Sequence, residues 1–154
     1  MGAVGFVLVR GAMPIAAYDH IAIPTEQPEA MMRFYRRIGF DTPDPDTWAQ
    51  TGASFFSMHL GDLRINVHCA ELWKNPGFDL RGPTARPGCA DVCFVWKGGM
   101  QAAVALLREA GIEIVAGPVE MVGGRAGGTG RGQSVYFRDP DRNLLELLAY
   151  DEDG

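Results

Sequence analysis

The chain repeats its own plan, and that repeat limits the folds open to it more than any other feature. Asp19-His20-Ile21-Ala22-Ile23 leads into a helical pattern that stops at Gly39-Phe40. Ala90-Asp91-Val92-Cys93-Phe94 leads into another that stops at Gly111-Ile112. His20 and Asp91 are 71 positions apart and Gly39 and Gly111 are 72 apart, so a whole strand–helix unit recurs with one inserted residue. A single unit of this kind leaves an apolar face exposed, so the two copies must pair to bury it. Equivalent positions of paired copies meet across a pseudo-twofold, and polar residues recurring there converge on one point.

Periodicity fills in the rest. Ile15–Pro24 reads as a strand from its apolar run. Thr25 is a candidate N-cap, Pro28 fits the first helical turn, and Gly39 fits the residue after the helix. Pro43 and Pro45 make 41–46 a loop or an irregular edge. Ala53–Leu60 and Leu63–Cys69 read as strands joined by a turn at Gly61-Asp62. Prolines and glycines over Asn75–Gly88 mark a linker. The pattern then restarts with a strand over Ala90–Trp96 and a helix over Met100–Ala110. Strand candidates follow at Ile112–Val115, Val119–Val122, Ser134–Arg138 and Leu144–Tyr150. The stretch Gly123–Gly132 holds six glycines and two arginines, lacks the spacing of a phosphate loop, and reads as a flexible lid or rim.

The expected fold is therefore α+β: two tandem βαβββ modules forming one curved eight-stranded mixed sheet, a cup with helices outside. The boundaries are a leader at 1–17, modules at 18–74 and 89–150, and a linker at 75–88. The leader is expected either to lie outside the fold or to add an edge strand. Its apolar run Gly2–Val9 is too short to span a membrane.

Composition narrows the partners. Fourteen basic against nineteen acidic residues give a net charge of −5, which argues against a nucleic-acid footprint. A chain of 154 residues buries roughly 70% of its unfolded surface, so folding needs no metal or disulfide staple. Three cysteines, Cys69, Cys89 and Cys93, cannot all pair and show no C-x-x-C spacing, which fits free thiols in a reducing, cytoplasmic setting. Cys93 is expected as a small core residue.

Few residues can carry chemistry. His20 falls in an apolar strand, where a polar group needs a partner or a ligand. His68 ends the fourth strand, with Asn66 and Arg64 on the same face. Glu146 interrupts Leu144-Leu145-Glu146-Leu147-Leu148 and should be paired or hold a cation. Asp91 takes the place of His20 in the second copy, and Asn66 that of Glu146. Imidazoles and carboxylates so placed suit a divalent ion with open positions for substrate oxygens. The third histidine, His59, precedes the turn at Gly61 and is expected to be exposed. Trp48, Trp73 and Phe78 are expected in loops at the cup mouth, where they would form an apolar wall. Arg64 is placed to meet an anionic substrate group.

These residues carry a resemblance. The Asp19–Ile23 strand, the helix through Phe34-Tyr35 to Gly39-Phe40, Ile65-Asn66-Val67-His68 and the run Tyr136–Glu146 (YFRDPDRNLLE) resemble the vicinal oxygen chelate superfamily. That group contains glyoxalase I, bleomycin- and fosfomycin-resistance proteins and extradiol dioxygenases. The resemblance covers residues 18 to 150 and is strongest to small glyoxalase-domain proteins. It implies that His20 and Glu146 are metal ligands, with His68 or Asp91 completing the set around Fe, Mn, Ni, Co or Zn. It also implies a small-molecule substrate, a homodimer, and a general-base role for Asp91 if it is not a ligand. Glyoxalase I enzymes carry a glutamate near Asn66, which this chain lacks. The expected function is a metal-dependent glyoxalase-like lyase or isomerase. Extradiol-type ring cleavage and metal-free sequestration of a small molecule are the alternatives.

Overall fold

The structure, a computed structural model, describes residues 17–151. The first module runs β1 (His20–Pro24), α1 (Pro28–Arg37), α2 (Pro45–Ala49), β2 (Phe55–Leu60), β3 (Leu63–His68) and a short α3 (Ala70–Trp73). The second runs β4 (Asp91–Trp96), α4 (Met100–Glu109), β5 (Ile114–Gly123), β6 (Gly130–Arg138) and β7 (Leu144–Tyr150). The fold is α+β, as expected, but its strands form two sheets rather than one. Sheet A has the order β1-β3-β2 and sheet B the order β4-β7-β6-β5.

The two sheets share a topology. In each module the first strand pairs in parallel with the last, and the last pairs antiparallel with the one before it. The missing partner of β5 in module 1 is the stretch after α1. There Pro43 and Pro45 remove two ladder donors. What remains is a single bridge from Asp41 to His59, followed by α2, so among the described residues seven strands stand where eight were expected. The strand expected from Ile15 begins at His20; residues 15 and 16 lie outside the described residues, as does the expected leader through residue 16.

The repeat is closest at the helix ends. Gly39 N–H donates to Arg36 and Phe40 N–H to Tyr35; Gly111 N–H donates to Arg108 and Ile112 N–H to Leu107. Each pair is a Schellman closure with glycine at positive φ, 99° for Gly39 and 67° for Gly111. In the first copy the rings of Tyr35 and Phe40 also meet edge-to-face with centroids 5.1 Å apart.

Alternation along each strand gives every sheet one face in the core and one open face. Ile21, Ile23, Ile65, Val67, Phe56 and Met58 of sheet A and Phe94, Val135, Phe137, Leu145 and Leu147 of sheet B enter a single apolar cluster with α1 and α4. Met31, Met32, Phe34 and Tyr35 are the buried residues of α1; Phe34 reaches across to Phe137, and Phe40 to Phe94. Cys93 is not in this core. It lies exposed on the open face of sheet B, because its neighbours Val92 and Phe94 take the inward positions.

A buried polar seam joins the modules. Thr25 donates to Asp141, whose other oxygen accepts from Glu26 N–H. Tyr35 donates to Asp139 across 3.2 Å, and Asn143 holds Asp139 with both its backbone and side-chain N–H. The Asn143 side-chain Oδ1 accepts from Ala90 N–H. Thr25 is therefore not the helix cap; Gln27 holds that place without a side-chain cap bond. Burial raises the Asp139 carboxyl above its ordinary value, partly opposed by the bonds from Asn143 and Tyr35.

The glycine-rich stretch is a curled hairpin tip rather than a loose lid. β5 continues to Gly123, a turn spans Arg125–Gly128, and β6 begins at Gly130. A Cβ on Gly123 would collide with Tyr150 and Leu148, and one on Gly130 would strike the Tyr150 ring. Glycine lets the tip fold over the open face of β7.

Candidate functional site

Register places the sequence-selected residues on two open faces. On sheet A, His20 stands opposite Arg64, Ala22 opposite Asn66, and Pro24 opposite His68. His20, Arg64, Asn66 and His68 share that face. On sheet B, Asp91 stands opposite Leu144 and Cys93 opposite Glu146, so Asp91, Cys93 and Glu146 share the other. His20 relates to Asn66 as Asp91 relates to Glu146, which is the correspondence expected from the repeat.

His20 is the first residue of β1 and its side chain is 41% exposed, so it is not enclosed in an apolar strand as expected. Asp19 supplies its partner. The Asp19 Oδ1 atom lies 2.5 Å from His20 Nδ1 and 2.7 Å from Arg64 Nη2. Arg64 Nη2 is 3.0 Å from the same imidazole nitrogen. Two donors aimed at one carboxylate oxygen assign the proton to Nδ1 and leave Nε2 as the acceptor. The hydrogen bond from His20, followed by the charge of Arg64, lowers the Asp19 carboxyl from its ordinary value. Carboxylate-held imidazole is the arrangement that presents a ring nitrogen to a metal ion.

Glu146 is half-buried, and Ser134, which is fully buried, donates to its Oε1. Burial, then the Glu146 charge, raise the Tyr136 phenol. The same two causes push the Cys93 thiol up to about 12, so it stays protonated near neutral pH. Module 1 repeats the device: Ser57 donates to Asn66 Oδ1 across 2.8 Å, which leaves the amide NH2 facing out. Asp19, Ser134, Ser57 and Tyr136 were not selected from the sequence. Period-two alternation on the strands flanking Asn66 and Glu146 could have found the last three.

The structure does not bring every selected residue together. His20 and His68 are four register positions apart on adjacent strands, about 13 Å along the sheet, so they cannot ligate one ion within a single chain. Among the described residues no group of three or more His, Cys, Asp or Glu is gathered closely enough to hold a metal. The trio of His20, His68 and Glu146 is therefore not assembled in one chain. His68 packs its ring edge-on to Phe78, 5.4 Å between centroids, and burial lowers its pKa, which keeps it neutral near pH 7. His59 is exposed, as expected.

The tryptophans are not loop residues at a cup mouth. Trp48 lies in α2 and packs on Phe56, and Trp73 lies in α3 and donates from Nε1 to the Thr25 carbonyl oxygen. Both serve the module's packing. Two cavities border the open faces instead. One, of about 570 Å3, lies between the free edges of β1 and β4 and reaches Ile21, Ile65, Val92 and Phe94. The other, of about 520 Å3, lies under the β5–β6 hairpin and includes Glu146.

Comparison with known proteins fits this geometry. The model of the Glyoxalase/Bleomycin resistance protein/Dioxygenase superfamily matches residues 17–147. Glyoxalase domain-containing protein RDO1 of Mycosarcoma maydis is 31% identical over 140 residues, 91% of this chain and 72% of the relative. Virulence protein STM3117 of Salmonella typhimurium is 34% identical over 139 residues, 90% of this chain and 87% of that protein. The crystal structure of STM3117 superposes with a TM-score of 0.73, covering 90% of this chain and 99% of that one at 32% identity. Lactoylglutathione lyase of Agrobacterium tumefaciens shares the fold at 16% identity, with a TM-score of 0.63 over 88% of this chain and 95% of that one.

Proposed function

The chain belongs to the glyoxalase/bleomycin resistance protein/dioxygenase superfamily, and from that membership we propose that it is a metal-dependent, glyoxalase-like enzyme acting on a small oxygenated substrate. The observation that carries the reading is the preset donor pair. Asp19 orients His20 to offer Nε2, and Ser134 fixes the Glu146 carboxylate from one side of the open face. These donors fit a divalent transition metal such as Fe, Mn, Ni, Co or Zn. When bound, such an ion supplies Lewis-acid polarisation of two adjacent substrate oxygens. Asp91, exposed at the start of β4, is the proton acceptor or the third donor. Arg64 and the Asn66 amide provide hydrogen bonds to substrate oxygens. The free thiols Cys69, Cys89 and Cys93 fit a cytoplasmic setting.

In this reading the cup is shared between two copies, with the His20 face of one set against the Glu146 face of the other. Three features support that. The two donor sets lie on different sheets. The faces differ in charge: Asp19 balances Arg64 on the first, whereas Asp91 and Glu146 make the second acidic. Both faces also expose apolar side chains, Phe55 at 55% and Val95 at 52%.

The test is complementation. Wild-type protein purified without chelators should carry metal, and His20→Ala and Glu146→Ala should each lose it. Co-refolding the two variants should restore up to about a quarter of the sites, since half of the dimers are mixed and each mixed dimer has one intact site. Metal-free wild type would sink the metal reading; metal in the wild type without complementation would sink the shared cup. A second reading, ligand sequestration without metal, draws on Arg64, whose guanidinium beside His20 repels a cation.

A further inference from the structure

The curl of the β5–β6 hairpin gives module 2 a pocket that module 1 has no means to build. Its cavity of about 520 Å3 is within the range of small-molecule sites. Glu146 closes one end, Arg125 stacks its guanidinium over the Tyr150 ring at the other with 4.4 Å to the centroid, and Val95, Met121 and Leu148 line the space between. Val95 is 52% and Met121 37% exposed, so apolar surface faces solvent within a concavity that has a carboxylate at its end. Ser134 donates to Glu146 Oε1, and the Tyr136 phenol and the Cys93 thiol also approach this carboxylate, whose lone pairs have room for one more hydrogen bond from a bound hydroxyl. Methionine sulfur and a tyrosine ring both favour aromatic neighbours over aliphatic ones.

We infer that this pocket is the subsite for the body of the substrate, and that the body is a hydroxyl-bearing aromatic ring. The ring lies between Val95, Met121, Leu148 and Tyr150, and its hydroxyl donates to Glu146. The inference rests on the reading of Glu146 as a site residue, but it requires no metal to be bound.

The probe is 2-naphthol, titrated into the full chain with amide shifts followed by NMR, beside 2-methoxynaphthalene, which lacks the donor. Saturable shifts are expected at Val95, Met121, Leu148 and Tyr150, with the methoxy compound at least about 10-fold weaker, the usual worth of a hydrogen bond to a charged acceptor. Val95→Trp, which fills the cavity from an exposed position, should abolish binding. Met121→Glu, on the exposed hairpin, should do the same and stands in if the first variant misfolds. Shifts centred on the β1–β4 cavity, equal affinity for both compounds, or binding that survives both variants would overturn the inference. Metal content measured on the same samples separates the two readings. Metal uptake without naphthol binding ends the inference alone; naphthol binding without metal uptake ends the metal reading alone.

Discussion

The two modules share a plan and differ in what their open faces offer. Sheet A presents the Asn66 amide and the Arg64 guanidinium as donors, beside the imidazoles of His20 and His68. Sheet B presents acceptors, Glu146 and Asp91, beneath a hairpin that sheet A lacks. In both, a cross-strand serine fixes the central side chain, Ser57 on Asn66 and Ser134 on Glu146. The two copies share the frame and the orienting hydroxyl and differ in the polarity of the groups they present. Two complementary halves can grip a ligand that neither half holds alone.

The hairpins between the last two strands give the sharpest contrast. In module 2, Asn143 is fully buried and satisfies both Ala90 and Asp139. Asn143→Ala leaves the Ala90 N–H unpaired and takes one of three donors from Asp139, and should cost about 3 kcal/mol in urea unfolding. In module 1 the matching turn, Gly61-Asp62, is exposed, and Asp62→Ala should shift stability by less than about 0.5 kcal/mol. Equal costs would mean the seam does not depend on module 2. Next in size, Glu146→Gln should lower metal-dependent turnover about 100-fold, and Asn66→Ala much less. The reverse ranking would transfer the leading role to sheet A. Asp19→Asn should weaken metal binding about 10-fold in calorimetry by releasing the His20 ring, and Ser134→Ala should act similarly on Glu146. Ser57→Ala should leave metal affinity unchanged.

The smallest effect concerns pH. Burial lowers the His68 pKa from its ordinary 6.5. A folded pKa below the unfolded one means this contribution to stability is full above pH 6.5 and is lost as pH falls through the folded value. The wild-type urea midpoint should therefore decline between pH 7.5 and 5.5 more steeply than that of His68→Gln. Parallel declines would show that the imidazole is as well solvated when folded as when unfolded.

Much of this was legible in the sequence. Gly39 and Gly111 announced the helix stops, the offset between the copies matched His20 with Asp91, and aligning the last strands of the modules matched Asn66 with Glu146, as the registers do. What stayed hidden depends on pairing across the chain. Nothing local tells that the Thr25 hydroxyl donates to Asp141 while accepting from Gln27 N–H, or that the glycines around Arg125 make room for Tyr150. His68 reads as a neighbour of His20 until the parallel register sets them four positions apart. Pro43 and Pro45 marked the weak edge correctly, but the single bridge at Asp41 requires the partner His59 to be known.

The seam also sets an order of events during synthesis. Thr25 and Asp141 are 116 positions apart, and Tyr35 and Asp139 are 104 apart. A nascent chain that has already made β1, α1 and sheet A must wait for almost its whole length to leave the ribosome before these bonds can form. Until then Tyr35 and Thr25 lack their acceptors, and the apolar side of α1 lacks Phe137. The first module therefore emerges as an incomplete body that the last part of the chain closes, and premature termination before Asp139 leaves it exposed to chaperones and proteases.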